Sequence, residues 1–588
     1  MKHLRILSTG ILTIVIAFSA CTKDEYTPDS IAKKENSNVE HGIKNSSAQQ
    51  SLGIGSPLED PYALKNMKKA YSNLKTANPS LPDIDIQPTH LYMRFLPSSE
   101  EEWNLLKQDE SLILYDFPLN IETESIGTYY HDPSLPDSAI TWQYCVVPIK
   151  HNIPNIHHEL LYEVYIPDED TNISKGTAEI DQLINDLEYE SAIITGNAEK
   201  GILPSKWTPK GTIKVWDDII GSTTTYSQVF DHWEYYDCDG TVPAQLAAQQ
   251  RVIPQPEEQC ARAVYRTIAT TTQGRYIPLE GVSVHARWFT RIETDLTDAN
   301  GYFEMPKFRF KVNYAIKWER SHYDIRNGMV WQAWYNGPKQ RGDWNLNIKG
   351  GKSIMYATIH RAAYKHYYGD NLGINRPISN SKTKICYIDE TGTGIFWGDW
   401  GGGILPDIKI WGKNPNTGNY KPTDEIFGTT AHELGHLSHW NFIGIIRYAQ
   451  TSKTIYESWA EAVEWTLTND EYHKMGAKYG GAGAIYYDCP YTNQLKWPFV
   501  NDKDYTPLFI DLIDNSNQRN NVYINGAIVH YGSISYPNDR ISGYTLSYIQ
   551  NNILRNSFGL SSLRDEIKKN KISGVTDADI NELFALYW

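Results

Sequence analysis

Apolar positions change period several times along the chain, and those changes divide it. An uncharged apolar run from Ile6 to Phe18 follows Lys2 and Arg5 and ends at the small residues Ser19 and Ala20. It is too short to span a bilayer comfortably and predicts a secretory signal over residues 1–20. Residues 21–55 are polar and contain Gly, Ser and Asn, which predicts a flexible tether. Between 56 and 205 the pattern is mixed. Leu91, Met93 and Phe95 alternate as in a strand, Ala139–Ile149 is a second β-rich run, and Ala178–Tyr189 has helical spacing. From 206 to 348, β-branched and aromatic runs are separated by turn signals. Val282 and Val284 alternate, and Asp298, Asn300 and Gly301 form a tight turn into Tyr302 and Phe303. From 349 to 588 the period becomes helical, with Ile354, Ala357, Ala362 and Tyr364 on one helix. A strand in "GILPDIKIWG", a helix through "TTAHELGHLSHW" and another through "TIYESWAEAVEWTL" follow. The expected fold class is multidomain α+β: an N-terminal α+β domain, a central β-sandwich and a C-terminal, mainly helical domain.

Length agrees with this division, since 588 residues exceed one domain. The net charge of −15, with no block of Lys or Arg, argues against nucleic acid as a partner and names no substrate. Beyond Cys21 there are Cys145, Cys238, Cys260, Cys386 and Cys489, without CxxC or Cys/His zinc spacing. Five cannot all pair, and Cys238 with Cys260 is the expected disulfide in an oxidising compartment.

The chemistry gathers in one helix. Pro422, Thr423, Asp424 and Glu425 supply a start signal, which places the first turn near Asp424. His432 and His436 lie four apart on one face, so both imidazoles can reach one metal ion. Glu433 stands beside the first ligand and can take a proton from a metal-activated water. His439 lies on the same face, but seven residues of helix rise about 10 Å, while zinc needs each nitrogen at about 2 Å. His439 is therefore expected in an outer shell or at the surface. Phe442 occupies the position where a metzincin carries its third histidine. Downstream, Glu457 lies 21 positions after His436, and Glu461 is one turn further along the same face. Glu457 can complete a His2Glu site, and Glu461 can accept the other ring N–H of a ligating histidine. The plain alternative for Glu457 is a capping box with Thr454. Glu464 is expected to be solvent-exposed or a helix-face residue.

This HExxH with a downstream Glu resembles the gluzincin zinc peptidases. The resemblance implies one Zn2+ held by His432, His436 and Glu457, with Glu433 as general base and Glu461 as outer-shell carboxylate. Such an enzyme also needs an oxyanion donor. Tyr448, His473, His530, Tyr531, Tyr536 and Tyr544 are available, and "VHYGSISYPNDRISGY" is favoured because it concentrates His and Tyr. "GTGIFWGDWGGGILPDIKIWG" either borders the cleft, as a zincin edge strand does, or forms a plain loop. The "PLEGVSV" strand and "TDANGYF" turn resemble the carboxypeptidase regulatory-like (transthyretin-like) sandwich, with its core at 275–326. Cys21 directly after "FSA" resembles a bacterial lipobox, and "TKDE" resembles the export tags of some surface lipoproteins. These imply lipidation at Cys21 and display on the outer membrane. The expectation is a surface-anchored zinc metallopeptidase acting on extracellular protein. The alternatives are a glycoprotein (mucin)-directed peptidase and a non-catalytic binding or adhesion lipoprotein with a structural or vestigial zinc site.

Overall fold

The computed structural model describes residues 54–587 apart from 124–129, 131, 137–138, 171–176, 222–223, 238–258, 272–273, 330, 378–381, 397–406, 478–503, 516, 518, 520–521, 525–526, 530–536 and 586. The signal, Cys21 and residues 21–53 of the expected tether lie outside these residues, as do Cys238 and Cys489 and hence the expected disulfide. Residues 54 and 55 are not tether but open strand Ile54–Pro57, which pairs with Ile121–Thr123. Cys145 and Cys386 are buried free thiols. The fold is mixed α and β, with several sheets and eleven α-helices among the described residues. None of the described helices is long and apolar enough to cross a membrane.

The N-terminal region forms a three-stranded antiparallel sheet in the order Gln143–Pro148, His90–Phe95, His158–Val164. As the central strand, His90–Phe95 is buried on both faces: Met93 and Phe95 on one, Tyr92 on the other. Helix Ala178–Ile194 forms where the spacing predicts, capped by the Thr177 hydroxyl on the Ile180 amide.

Two further sheets meet face to face. One orders Arg291–Leu296, Ser283–Trp288, Val312–Lys317 and Trp334–Gln340, all antiparallel. The other joins Lys210–Asp217 to Tyr302–Glu304, Trp344–Ile348 and Arg275–Pro278. Tyr314 of the first sheet stacks on Trp344 of the second at 5.1 Å and meets Phe303 at 6.1 Å.

A five-stranded sheet backs the helical region in the order Trp331–Gln332, Tyr323–Asn327, Thr383–Thr391, Ile408–Lys413, Gly394–Phe396. Its three inner strands are parallel and both edges are antiparallel. The boundary expected at residue 348 is therefore crossed. The chain leaves the sandwich after Lys317, gives strand Tyr323–Asn327 to this sheet, and returns at Trp334. The end of the passage read as one regulatory-like core, residues 323–326, belongs to the helical region's sheet.

Helix Thr423–Ile443, the motif helix, is buried along most of its length. It packs against helices Gly351–Tyr367 and Lys453–Lys474, the latter called here the returning helix. Its apolar residues serve two cores. Ile426, Phe427, Leu434 and Leu437 join the large core shared with the sheets, and Ala431 joins the core of the C-terminal helices. A polar pair of histidines thus lies in a stem that is buried all round, where water screens charges poorly.

Candidate metal centre

The motif helix begins at Thr423, one residue before the expected start, and its cap comes from far away in sequence. The Thr423 amide donates to Asp218 Oδ2, and the Asp218 amide donates back to Thr423 Oγ1, both at 3.1 Å. Asp218 follows the sandwich strand Lys210–Asp217, so the sandwich fixes this end of the helix. The other end stops at Gly444, whose φ of 81° breaks the helical run. Between these ends, Gly435 lets the returning helix approach. A Cβ at Gly435 would lie 3.1 Å from Val463 Cβ and 3.3 Å from Ala460 Cα.

That close approach closes the cluster. His432 Nε2 stands 3.2 Å from Glu457 Oε2, His436 Nε2 stands 3.1 Å from the same oxygen, and the two nitrogens are 3.1 Å apart. Three ligand atoms on a tetrahedral ion at about 2.0 Å stand about 3.3 Å from one another. The three side chains, all nearly or wholly buried, therefore form a group that can hold a metal ion. Glu457 Oε1 is buried and has no hydrogen-bond partner among the described residues, so this carboxylate is under-satisfied where an ion would sit.

The protonation pattern of the ion-free group expresses the same convergence. Burial disfavours charge on His432, but hydrogen bonds to Glu457 and Glu464, with Glu433 and Glu461 nearby, raise it well above the ordinary imidazole value. Burial, aided by His432, outweighs Glu457 and lowers His436. Burial acts to raise Glu457, yet His436 and His432 together hold it well below the carboxylate range.

The outer contacts differ from expectation at several positions. Glu464, expected to be solvent-exposed or a helix-face residue, is only 12% exposed and places Oε2 3.1 Å from His432 Nδ1. Glu461, the expected partner, stands at 3.6 Å from the same nitrogen. His436 Nδ1 faces the Tyr448 hydroxyl at 3.2 Å, delivered by the short helix Ile445–Gln450 beyond the Gly444 turn. Of the proposed oxyanion donors, Tyr448 alone is brought to the cluster among the described residues. Tyr544 is buried among the C-terminal helices, where its hydroxyl faces the Ile572 amide. His473 sits in the last turn of the returning helix. His530, Tyr531 and Tyr536 lie outside the described residues. His439 is outside the metal-ligating group but is not at the surface. It is wholly buried against Tyr448 and Trp459, and burial, then His436, pushes it down to about 3.

The sheet edge completes the surroundings. Strand Gly394–Phe396 runs beside the motif helix, and the Phe396 ring stacks on His436 at 6.0 Å. A Cβ at Gly394 would lie 2.3 Å from Glu433 Oε1, so only glycine leaves room for that carboxylate. This edge strand is the described part of the stretch read as either cleft border or loop; 397–406 fall outside the described residues.

No family model matches the chain, and no match was found among the curated proteins or the solved structures.

Proposed function

We propose that the chain is a zinc-dependent metallopeptidase of gluzincin type, held at the bacterial surface by a lipid on Cys21 and acting on extracellular proteins. The observation that carries this reading is the triangle of His432 Nε2, His436 Nε2 and Glu457 Oε2 at 3.1–3.2 Å, with Glu433 on the same helix against an edge strand. A zinc ion there would lower the pKa of a water and polarise a substrate carbonyl. His432 and His436 present Nε2, so each keeps Nδ1–H for an outer acceptor: Glu464 for the first and the Tyr448 oxygen for the second. Strand Gly394–Phe396 offers a sheet edge to an extended peptide. Glu433 takes the proton of the attacking water and passes it to the leaving nitrogen as the C–N bond breaks, yielding a carboxylate and an amine.

The test is cleavage and zinc content of the purified chain beside Glu433→Ala. The variant should keep zinc while cleavage falls about 10²–10⁴-fold. Cleavage confined to glycosylated proteins would select the mucin-directed alternative. Stoichiometric zinc without cleavage of any protein offered would favour the binding lipoprotein, and a chain that takes up no zinc would sink the metal centre.

A further inference from the structure

We propose that Glu464, rather than Glu461, is the positioning residue that orients His432 at the metal centre, an inference that rests on the function proposed above. Glu457, Glu461 and Glu464 recur at i, i+4 and i+7, so all three project from one face of the returning helix toward the motif helix. Glu457 reaches the ligand triangle. Of the other two, Glu464 Oε2 is 3.1 Å from His432 Nδ1, within hydrogen-bond range, and Glu461 Oε1 at 3.6 Å is not.

A vacancy in the facing helix makes the longer reach possible. Gly428 lies one turn before His432, and a Cβ there would stand 2.9 Å from Glu464 Oε1. The missing side chain is the notch into which the Glu464 carboxylate folds. Glu464 also keeps a thin exposed edge, 12% against 3% for Glu461. Partial hydration lowers the cost of holding a carboxylate ionised there, and an ionised acceptor makes the stronger hydrogen bond. When His432 ligates through Nε2, its Nδ1–H donates to Glu464. That contact fixes the tautomer and the ring plane and makes Nε2 a better donor to the ion.

The test is zinc affinity, measured on the full chain by competition with a chromophoric chelator. Glu464→Ala should weaken zinc binding about 10–100-fold, and Glu461→Ala should weaken it less. Gly428→Ala keeps every carboxylate but fills the notch. It should weaken binding in the wild-type background and add nothing to Glu464→Ala. Wild-type affinity in Glu464→Ala, or additive losses in Gly428→Ala/Glu464→Ala, would overturn the role of Glu464 while leaving the metal centre standing. A wild-type chain that binds no zinc would overturn both.

Discussion

Two of the buried polar clusters among the described residues differ in how their charges are matched. At strand Tyr323–Asn327, Arg326 contacts Glu100 and Asp324, Lys107 contacts Asp324, and the Trp103 ring lies 4.0 Å from Lys107 and 4.6 Å from Arg326. Two cations meet two anions, and the set ties helix Glu100–Gln108 to the five-stranded sheet. Although burial acts to raise Asp324, Lys107 and Arg326 hold it below its ordinary value. Around the motif helix, by contrast, Glu433, Glu457, Glu461 and Glu464 gather about two imidazoles. Four carboxyl groups thus face two imidazoles, and a divalent cation would offset charge on those that are ionised. The first cluster has its charges matched by its own residues, although Asp324 Oδ1 lacks a hydrogen-bond partner among the described residues, and it acts as a fastening. The second includes a group that could hold a metal ion.

The contrast can be broken most strongly at the ligands. Glu457→Ala should weaken zinc binding by more than the roughly 10–100-fold that losing an outer partner costs, and equilibrium dialysis would measure it. Arg326→Met should leave zinc content unchanged but destabilise the fold by about 3–5 kcal/mol, because Glu100 and Asp324 lose a buried counter-charge; denaturant unfolding reads this. If Arg326→Met depleted zinc as Glu457→Ala should, the two clusters would not be independent. Asp218→Ala removes a helix cap and should cost about 1 kcal/mol, again without loss of zinc.

The smallest effect is a difference in slope with pH. In the ion-free chain His432 is raised above its ordinary value of about 6.5. Its contribution to stability is therefore complete below about 6.5 and is lost as pH rises through the raised value. Zinc requires the neutral ring, so its binding strengthens over the same rise. Thermal melting above pH 6.5 should thus shift downward with pH without zinc and stay nearly level with saturating zinc, because neither the unfolded nor the zinc-bound ring then holds a proton. Parallel shifts would contradict the assignment of His432 as a ligand.

Much of the candidate metal-binding group was legible because its geometry is local. Four-residue spacing puts His432 and His436 on one face, and Glu457 lies one helix pair away. Glu464 was legible too, since it continues the i, i+4, i+7 face of Glu457 and Glu461. Its apparent exposure hid it, because the Gly428 notch exists only once two helices pack. Tyr448 depends on the direction the chain takes after Gly444, and the Asp218 cap on a residue 205 positions away. Neither leaves a local signal. The same holds for Tyr323–Asn327, which lies within a β-rich passage but pairs in parallel with residues 383–387.

That last pairing limits how the molecule can be divided. A cut at residue 348 would strip the helical region of an inner strand of its sheet, and a cut at 320 would strip the sandwich of Trp334–Gln340 and Trp344–Ile348. Sandwich and helical region are therefore inseparable by any single crossover in the gene. No such cut leaves both sheets with all their strands on one side.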